Sequence, residues 1–183
     1  RNGGREADLR TRLVQRGHEL TWHPDHMRHR YENWVEGLNG DWLISRQRYF
    51  GVPIPLWYSL NGDGSINYDA PIVPDDAQLP VDPSTDVPNG FNEAQRGQPG
   101  GFVGDPDVMD TWATSSLTPQ ISGGWLDNPT MFANIFPMDV RPQAHEIIRT
   151  WLFSTMVRSH FEHGVAPWTN AAPVSYTHLT LPT

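Results

Sequence analysis

The sequence has 183 residues, a formal net charge of −8 at pH 7, a pI near 5.3 and no Cys. Those values exclude a disulfide framework, a thiolate zinc site and a basic surface for nonspecific nucleic-acid binding. Eight Trp, seven Phe and five Tyr beside 17 Pro and 16 Gly argue for a folded, turn-rich chain of about one domain, able to bury roughly 70% of its unfolded surface.

No apolar run approaches the length of a membrane span. The first residues, Arg1 to Asp8, contain neither Met nor a signal-peptide core, which points to a processed chain or a fragment. Residues 5–16 carry Leu9, Leu13 and Val14 at helical spacing and predict an amphipathic helix ended by Gly17. His18–His23 reads as a short strand around Leu20 and Trp22. Residues 24–38 predict a second helix with Pro24 at its first position. Its apolar stripe is Met27, Tyr31, Trp34, Val35 and Leu38, and Asn39-Gly40 is its stop.

Gly51–Tyr58 predicts a buried strand despite Pro53 and Pro55, Asn61–Gly64 a turn, and Ile66–Tyr68 a returning strand. Residues 69–106 are dense in Pro and Gly and read as a long surface excursion with no core element, an insertion. Regular structure resumes over Asp107–Leu117. Ile135–Val140 is a predicted strand and His145–His163 a long helix with too many apolar residues for one stripe, capped by Gly164 and stopped by Pro167. The tail, Pro173–Thr183, has no periodicity. The order of helices and strands favours an α/β layer architecture.

Generic motifs are absent: there is no Gly-x-Gly-x-x-Gly and no phosphate loop. His23, His26 and His29 drift around a helix and fit a solvated face better than a metal. Asp105, Asp107 and Asp110 lack the Gly and distal Glu of a calcium loop and fit turn or cap roles. His145-Glu146 places a carboxylate in a first helical turn, either a cap or a ligand for ribose hydroxyls where a strand meets a helix. Trp42 and Trp112 are either core or the walls of a small apolar pocket.

Three longer segments carry more. Tyr31–Tyr58 reads YENWVEGLNGDWLISRQRYFGVPIPLWY, Asp105–Leu117 reads DPDVMDTWATSSL, and Val140–Phe153 reads VRPQAHEIIRTWLF. Together, in this order, they resemble the valyl branch of the class I aminoacyl-tRNA synthetases, in the archaeal-type form also met in some bacteria. The likeness runs from about Leu9 to Ala172. It implies the second half of a Rossmann-like catalytic domain with a long Pro/Gly-rich insertion. Residues 1–23 would return from an editing domain, 24–172 would form the catalytic half with 59–106 as the insertion, and 173–183 would be a non-native tail.

The resemblance implies a valine pocket of Trp42, Val108 and Trp112. It places Glu146 at the ATP ribose, where most relatives carry Asp, with Gln143 and His145 flanking it. Ser45, Arg46 and Gln47 would shape the active-site floor. The implied reaction has valine attack the α-phosphorus of ATP, with Mg2+, to give valyl-adenylate, and then passes valine to tRNA(Val). A hydrophobic pocket discriminates poorly against threonine, for which this family is the standard case, so editing in a separate domain is implied. Neither the His-Ile-Gly-His nor the Lys-Met-Ser-Lys-Ser signature occurs, so the chain alone is expected to be inactive. Ser59–Gln98 has no Cys, so no zinc is expected where many relatives carry a zinc knuckle. A cytoplasmic, monomeric parent without a membrane anchor is implied. The alternatives are an isoleucyl or leucyl relative, against which Asp-Thr-Trp-x-x-Ser-Ser speaks, and a stand-alone nucleotide- or amino-acid-binding or scaffold protein derived from the fold.

Overall fold

The structure is a computed structural model that describes residues 3–174. In chain order the elements are α1 (Gly3–His18), β1 (Thr21–Trp22), α2 (Met27–Gly37), β2 (Ser45–Arg46), β3 (Trp57–Leu60), β4 (Ile66–Ile72), β5 (Phe102–Gly104) and β6 (Val108–Met109). They continue with α3 (Thr111–Ser115), α4 (Thr118–Gly123), α5 (Pro129–Ile135), β7 (Met138–Ala144), α6 (Trp151–His163) and β8 (Trp168–Val174). The chain divides into two compact units: one runs to Trp42 and resumes at Trp112, and the other is Leu43–Thr111.

The first unit is a mixed helix and strand layer built on a parallel sheet of order β1-β8-β7. The β7–α6–β8 crossover is the connection that two adjacent parallel strands require. Its core gathers Leu13, Leu20, Trp22, Tyr31, Val35, Ile148, Leu152, Met156, Trp168 and Ala171. Leu13, Tyr31, Val35, Leu152 and Met156 come from the predicted stripes of α1, α2 and the long helix, and Trp22, Trp168 and Ala171 from the strands β1 and β8. Tyr31 is fully buried and donates its hydroxyl to the Leu13 carbonyl at 2.8 Å. Burial pushes that phenol well above its ordinary value.

Several boundaries differ from the sequence reading. α1 runs through Gly17, because glycine there admits the neighbouring helix: a Cβ would lie 2.6 Å from the Tyr31 ring. Pro24–His26 form a tight turn whose carbonyls accept from the amides of Met27, Arg28 and His29, so α2 begins at Met27. The long helix is broken. His145–Ile148 is a 3₁₀ turn, and α6 starts at Trp151. Gly164 caps it at φ 69°, as predicted, with its N–H on the His160 carbonyl. Phe161 faces outward. α4, α5 and β8 were not foreseen: short helices opened by Pro119 and Pro129 give too little periodicity to read. Residues 138–144, beyond the predicted 135–140, make the strand. Of the tail read as 173–183, Pro173 and Val174 are described. They continue β8 opposite Gln143 and Ala144. Ser175–Thr183 lies outside the described residues.

The second unit holds an antiparallel sheet of order β4-β3-β5 and a two-stranded β2-β6 ladder. The predicted strand Gly51–Tyr58 starts only at Trp57, since Pro53 and Pro55 have no N–H for a ladder. The turn at Asn61–Gly64 forms as read, with Gly64 at φ 83° and the Asp63 carboxylate accepting from the Ser65 amide at 2.9 Å. The 69–106 excursion does contribute core: Phe102, Pro83 and Pro88 are fully buried, beside Trp57 of β3. Arg96 organises it. Its guanidinium donates to the Pro83 and Asp86 carbonyls at 2.9 and 2.8 Å and to the Glu93 carboxylate at 2.7 Å, and it lies 5.0 Å over the Phe102 ring.

Candidate functional site

A cavity of about 380 Å³ opens in the first unit where α2 ends, α3 begins and α6 starts. Trp34, Leu38, Trp42, Trp112, Arg149 and Phe153 provide most of its wall, with Asp41 also in its lining. Trp34 meets Phe153 edge-on at 6.4 Å. Trp42 is 45% exposed at the mouth. Three indoles, a phenyl and a leucine make a cavity suited to a small branched aliphatic group, and Asp41 and Arg149 are its charged members.

The structure thus brings Trp42 and Trp112 to one cavity from 70 residues apart in sequence. The lining comes from the first unit alone. Val108 is a residue of the second, on β6 opposite Arg46 of β2, with its side chain against Gly51. Sequence reasoning missed Trp34, Arg149 and Phe153. Trp34 and Leu38 lie in the apolar stripe of the second predicted helix, and their four-residue spacing is the signal that they share a face.

The second cluster sits at the carboxyl end of β7, the edge where open α/β sheets bind ligands. Gln143 is buried. Its amide accepts from Arg141 Nε at 3.4 Å and donates to the Ala144 carbonyl at 3.3 Å. His145 Nδ1 lies 2.8 Å from the Glu146 carboxylate. Glu146 is exposed, and its carboxyl is held below the usual value, first by its own backbone N–H, then by His145 and more weakly by Arg30. Arg141 was also missed: it is buried over the Trp151 ring and 5.1 Å from Trp168, and burial lowers it to about 9.

Ser45 and Arg46 form β2, and Gln47 follows it, exposed. Arg46 pairs with Asp110 and donates to the carbonyls of Leu43 and Ser45 at 2.5 and 2.7 Å, clamping its own loop. Two of the three aspartates singled out for a hard cation, Asp105 and Asp110, are otherwise engaged. Asp105 accepts the Tyr58 hydroxyl at 3.0 Å and the Asp107 amide at 2.8 Å, and Asp110 holds Arg46. Among the described residues no group of three His, Asp or Glu is placed to hold a metal. His23, His26 and His29 are exposed, with His23 on Asn170 and His29 on Glu32. No helix of the described residues is long and apolar enough to cross a membrane.

A parallel sheet whose neighbouring strands β7 and β8 are joined by the crossover helix α6 defines a mixed α/β domain. Comparison narrows this. A family model for tRNA synthetases class I (I, L, M and V) matches residues 5–177, and the chain belongs to that family. It is 67% identical to valine–tRNA ligase of Thermobifida fusca over 172 residues, and 68% to that of Salinispora tropica over 169, matching 94% and 92% of this chain. The ligase of Bifidobacterium longum is 58% identical over 175 residues. The chain spans about a fifth of the length of these relatives. A chain from the crystal structure of the ternary complex of Agrobacterium radiobacter K84 agnB2 LeuRS, tRNA and LeuAMS shares the fold. That likeness has TM-score 0.50 and 24% identity, over 74% of this chain and 20% of that one.

Proposed function

We propose that this chain is part of the Rossmann-like catalytic domain of a valine–tRNA ligase, where it forms the valine pocket and one side of the nucleotide site. The observation that carries the reading is the convergence of Trp42 and Trp112 on one apolar cavity, in a chain two-thirds identical to ligases of that name. The isopropyl group of valine fits against these indoles. Asp41 and Arg149 in the same lining match the charges of an amino acid's ammonium and carboxylate.

Glu146 is the proposed ligand of the ATP ribose hydroxyls. It is exposed, ionised and at the end of a parallel strand. The reaction needs no covalent enzyme intermediate. The valine carboxylate attacks the α-phosphorus, pyrophosphate leaves, and the terminal ribose hydroxyl of tRNA(Val) then takes the valyl group. These residues contribute by positioning. For Val108 in the pocket, and for Ser45, Arg46 and Gln47 as the floor, the support is the sequence pattern. In this reading Mg2+ would enter with ATP. A cytoplasmic, monomeric parent belongs to the same reading.

The test is a chimera. The matching fifth of the T. fusca ligase is replaced by this segment, and amino-acid-dependent pyrophosphate exchange is measured. Exchange with valine preferred over isoleucine is expected, with Trp112→Ala raising the KM for valine by about 100-fold, the scale of one lost side-chain contact of about 2.7 kcal/mol. Preference for isoleucine or leucine would sink the reading. The 183 residues alone, lacking both nucleotide signatures, are expected to give no exchange.

A further inference from the structure

Asparagine precedes glycine at Asn2-Gly3, Asn39-Gly40, Asn61-Gly62 and Asn89-Gly90, and Asn2 lies outside the described residues. Such a pair is chemically labile when the asparagine side chain can turn back on the chain. The glycine nitrogen then attacks the side-chain carbonyl carbon, and glycine, without a Cβ, neither shields that nitrogen nor restricts the turn. The attack needs a side-chain amide that is not held elsewhere.

The three described pairs differ in this respect. Asn61 closes the turn between β3 and β4. Its Nδ2 donates to the Ser65 hydroxyl at 2.9 Å, and its carbonyl accepts from the amides of Gly64 and Gly100 at 2.9 and 3.2 Å. Asn89 is held through both side-chain atoms: Oδ1 accepts from Gln78 at 3.0 Å and Nδ2 donates to Asp75 at 3.5 Å. Asn39 and Gly40 are both exposed. Among the described residues no hydrogen bond reaches the Asn39 side chain or the Gly40 amide. A Cβ on Gly40 would meet nothing within 4 Å, so the main chain there has room to turn. Just upstream the chain is fixed, because Arg10 donates to the Glu36 and Leu38 carbonyls. The free pair is also the one in the indole cavity. Asn39 and Gly40 belong to its lining and lead directly into Asp41 and Trp42.

We propose that Asn39 is a spontaneous deamidation site whose conversion changes the charge of the indole cavity. The Gly40 nitrogen bonds to Asn39 Cγ and gives up its proton, the Cγ–Nδ2 bond breaks, and ammonia leaves a five-membered succinimide. Water opens the ring at either carbonyl. One opening gives aspartate, and the other gives isoaspartate, with the main chain routed through the former side chain and longer by a methylene. Either product adds a carboxylate to a wall that holds one carboxylate, Asp41, and one guanidinium, Arg149. The chemistry is independent of what the cavity binds, so it stands or falls apart from the valine reading.

The test incubates the 183-residue chain at mildly alkaline pH and follows each Asn-Gly peptide by mass spectrometry, with an isoaspartyl methyltransferase marking isoaspartate. Asn39 should convert at least about fivefold faster than Asn61 and Asn89, the factor expected from releasing one side-chain hydrogen bond before attack. In concentrated urea the three rates should converge. Gly40→Ala, for which there is room, should slow Asn39 alone, because the methyl group crowds the attacking nitrogen. The acidic species that accumulates on ion exchange should co-elute with Asn39→Asp and fail to form in Asn39→Gln. Equal rates in the folded chain, or a slower Asn39, overturn the site. So does a Gly40→Ala chain that keeps the parent's Asn39 rate, or an acidic species that forms equally fast in Asn39→Gln. Rates that stay apart in urea would overturn the role given to the fold.

Discussion

The two compact units are stabilised by different means. The first buries aliphatic and aromatic stripes from α1, α2 and α6 against a parallel sheet, and Tyr31, Val35, Leu152, Met156 and Ala171 reach zero exposure. The second has few large apolar residues to bury, chiefly Trp57, Leu60 and Phe102. It substitutes side-chain clamps onto the backbone. Arg96 ties the Pro83 and Asp86 carbonyls, Trp57 donates its indole N–H to Asp86 at 3.1 Å, and Gln78 and Gln95 each reach back to the amide three residues earlier at 2.9 Å. A chain segment poor in apolar residues can still be ordered when its loop carbonyls and amides are satisfied by side chains.

The comparison can be broken by substitution. Leu152→Ala in the first unit should cost about 4 kcal/mol, read from the denaturant midpoint at unchanged slope. Phe102→Ala should cost about 3 kcal/mol by the same measurement, since it empties the space between Phe91 and Arg96. If it cost under about 1 kcal/mol, the ring would not be the core of the second unit. Gly17→Ala should cost about 2 kcal/mol, because the added Cβ meets the Tyr31 ring while alanine's better helix propensity offsets only part of the clash. Arg96→Lys should cost about 1 kcal/mol, for a lysine cannot reach two carbonyls and a carboxylate in one plane. A result near zero would show that the clamp is redundant.

The smallest expected effect is a pH dependence. His160 sits on α6 facing α1, where its Nδ1 accepts from Arg16 Nε at 3.2 Å. Burial, then the charges of Arg16 and Arg12, hold its pKa below the ordinary 6.5, while Glu19 pulls the other way. The unfolded chain therefore binds the extra proton more readily. Stability should be full above about pH 6.5 and fall as the pH drops through the lower folded value. Thermal melts of the parent and His160→Gln between pH 7 and 5 check this: the variant should show a shallower decline, and parallel curves would remove His160 as the cause.

The candidate site residues could be picked out in advance because their types sit in contiguous motifs, and two of them, Trp42 and Trp112, line one cavity. Trp42, Trp112 and Glu146 each belong to a segment whose local pattern is distinctive. Trp34 and Phe153 were hidden because an aromatic on an amphipathic helix looks the same whether it faces core or cavity. The burial of Gln143 was hidden as well: alternation along a strand does not say which face a sheet covers, and its amide accepts from Arg141.

By itself the sequence determined the helical stripes of the first unit, the turn at Asn61–Gly64, the Gly164 cap and the motif residues of the site, since periodicity and turn chemistry are local properties. Only the tertiary structure decided that α6 breaks at His145–Ile148, that the Pro/Gly-rich stretch buries Phe102, and that Asn39 lines one cavity with Trp112 and Arg149. Each of these depends on groups far apart in the chain, whose desolvation and pairing exist only once the layers have packed.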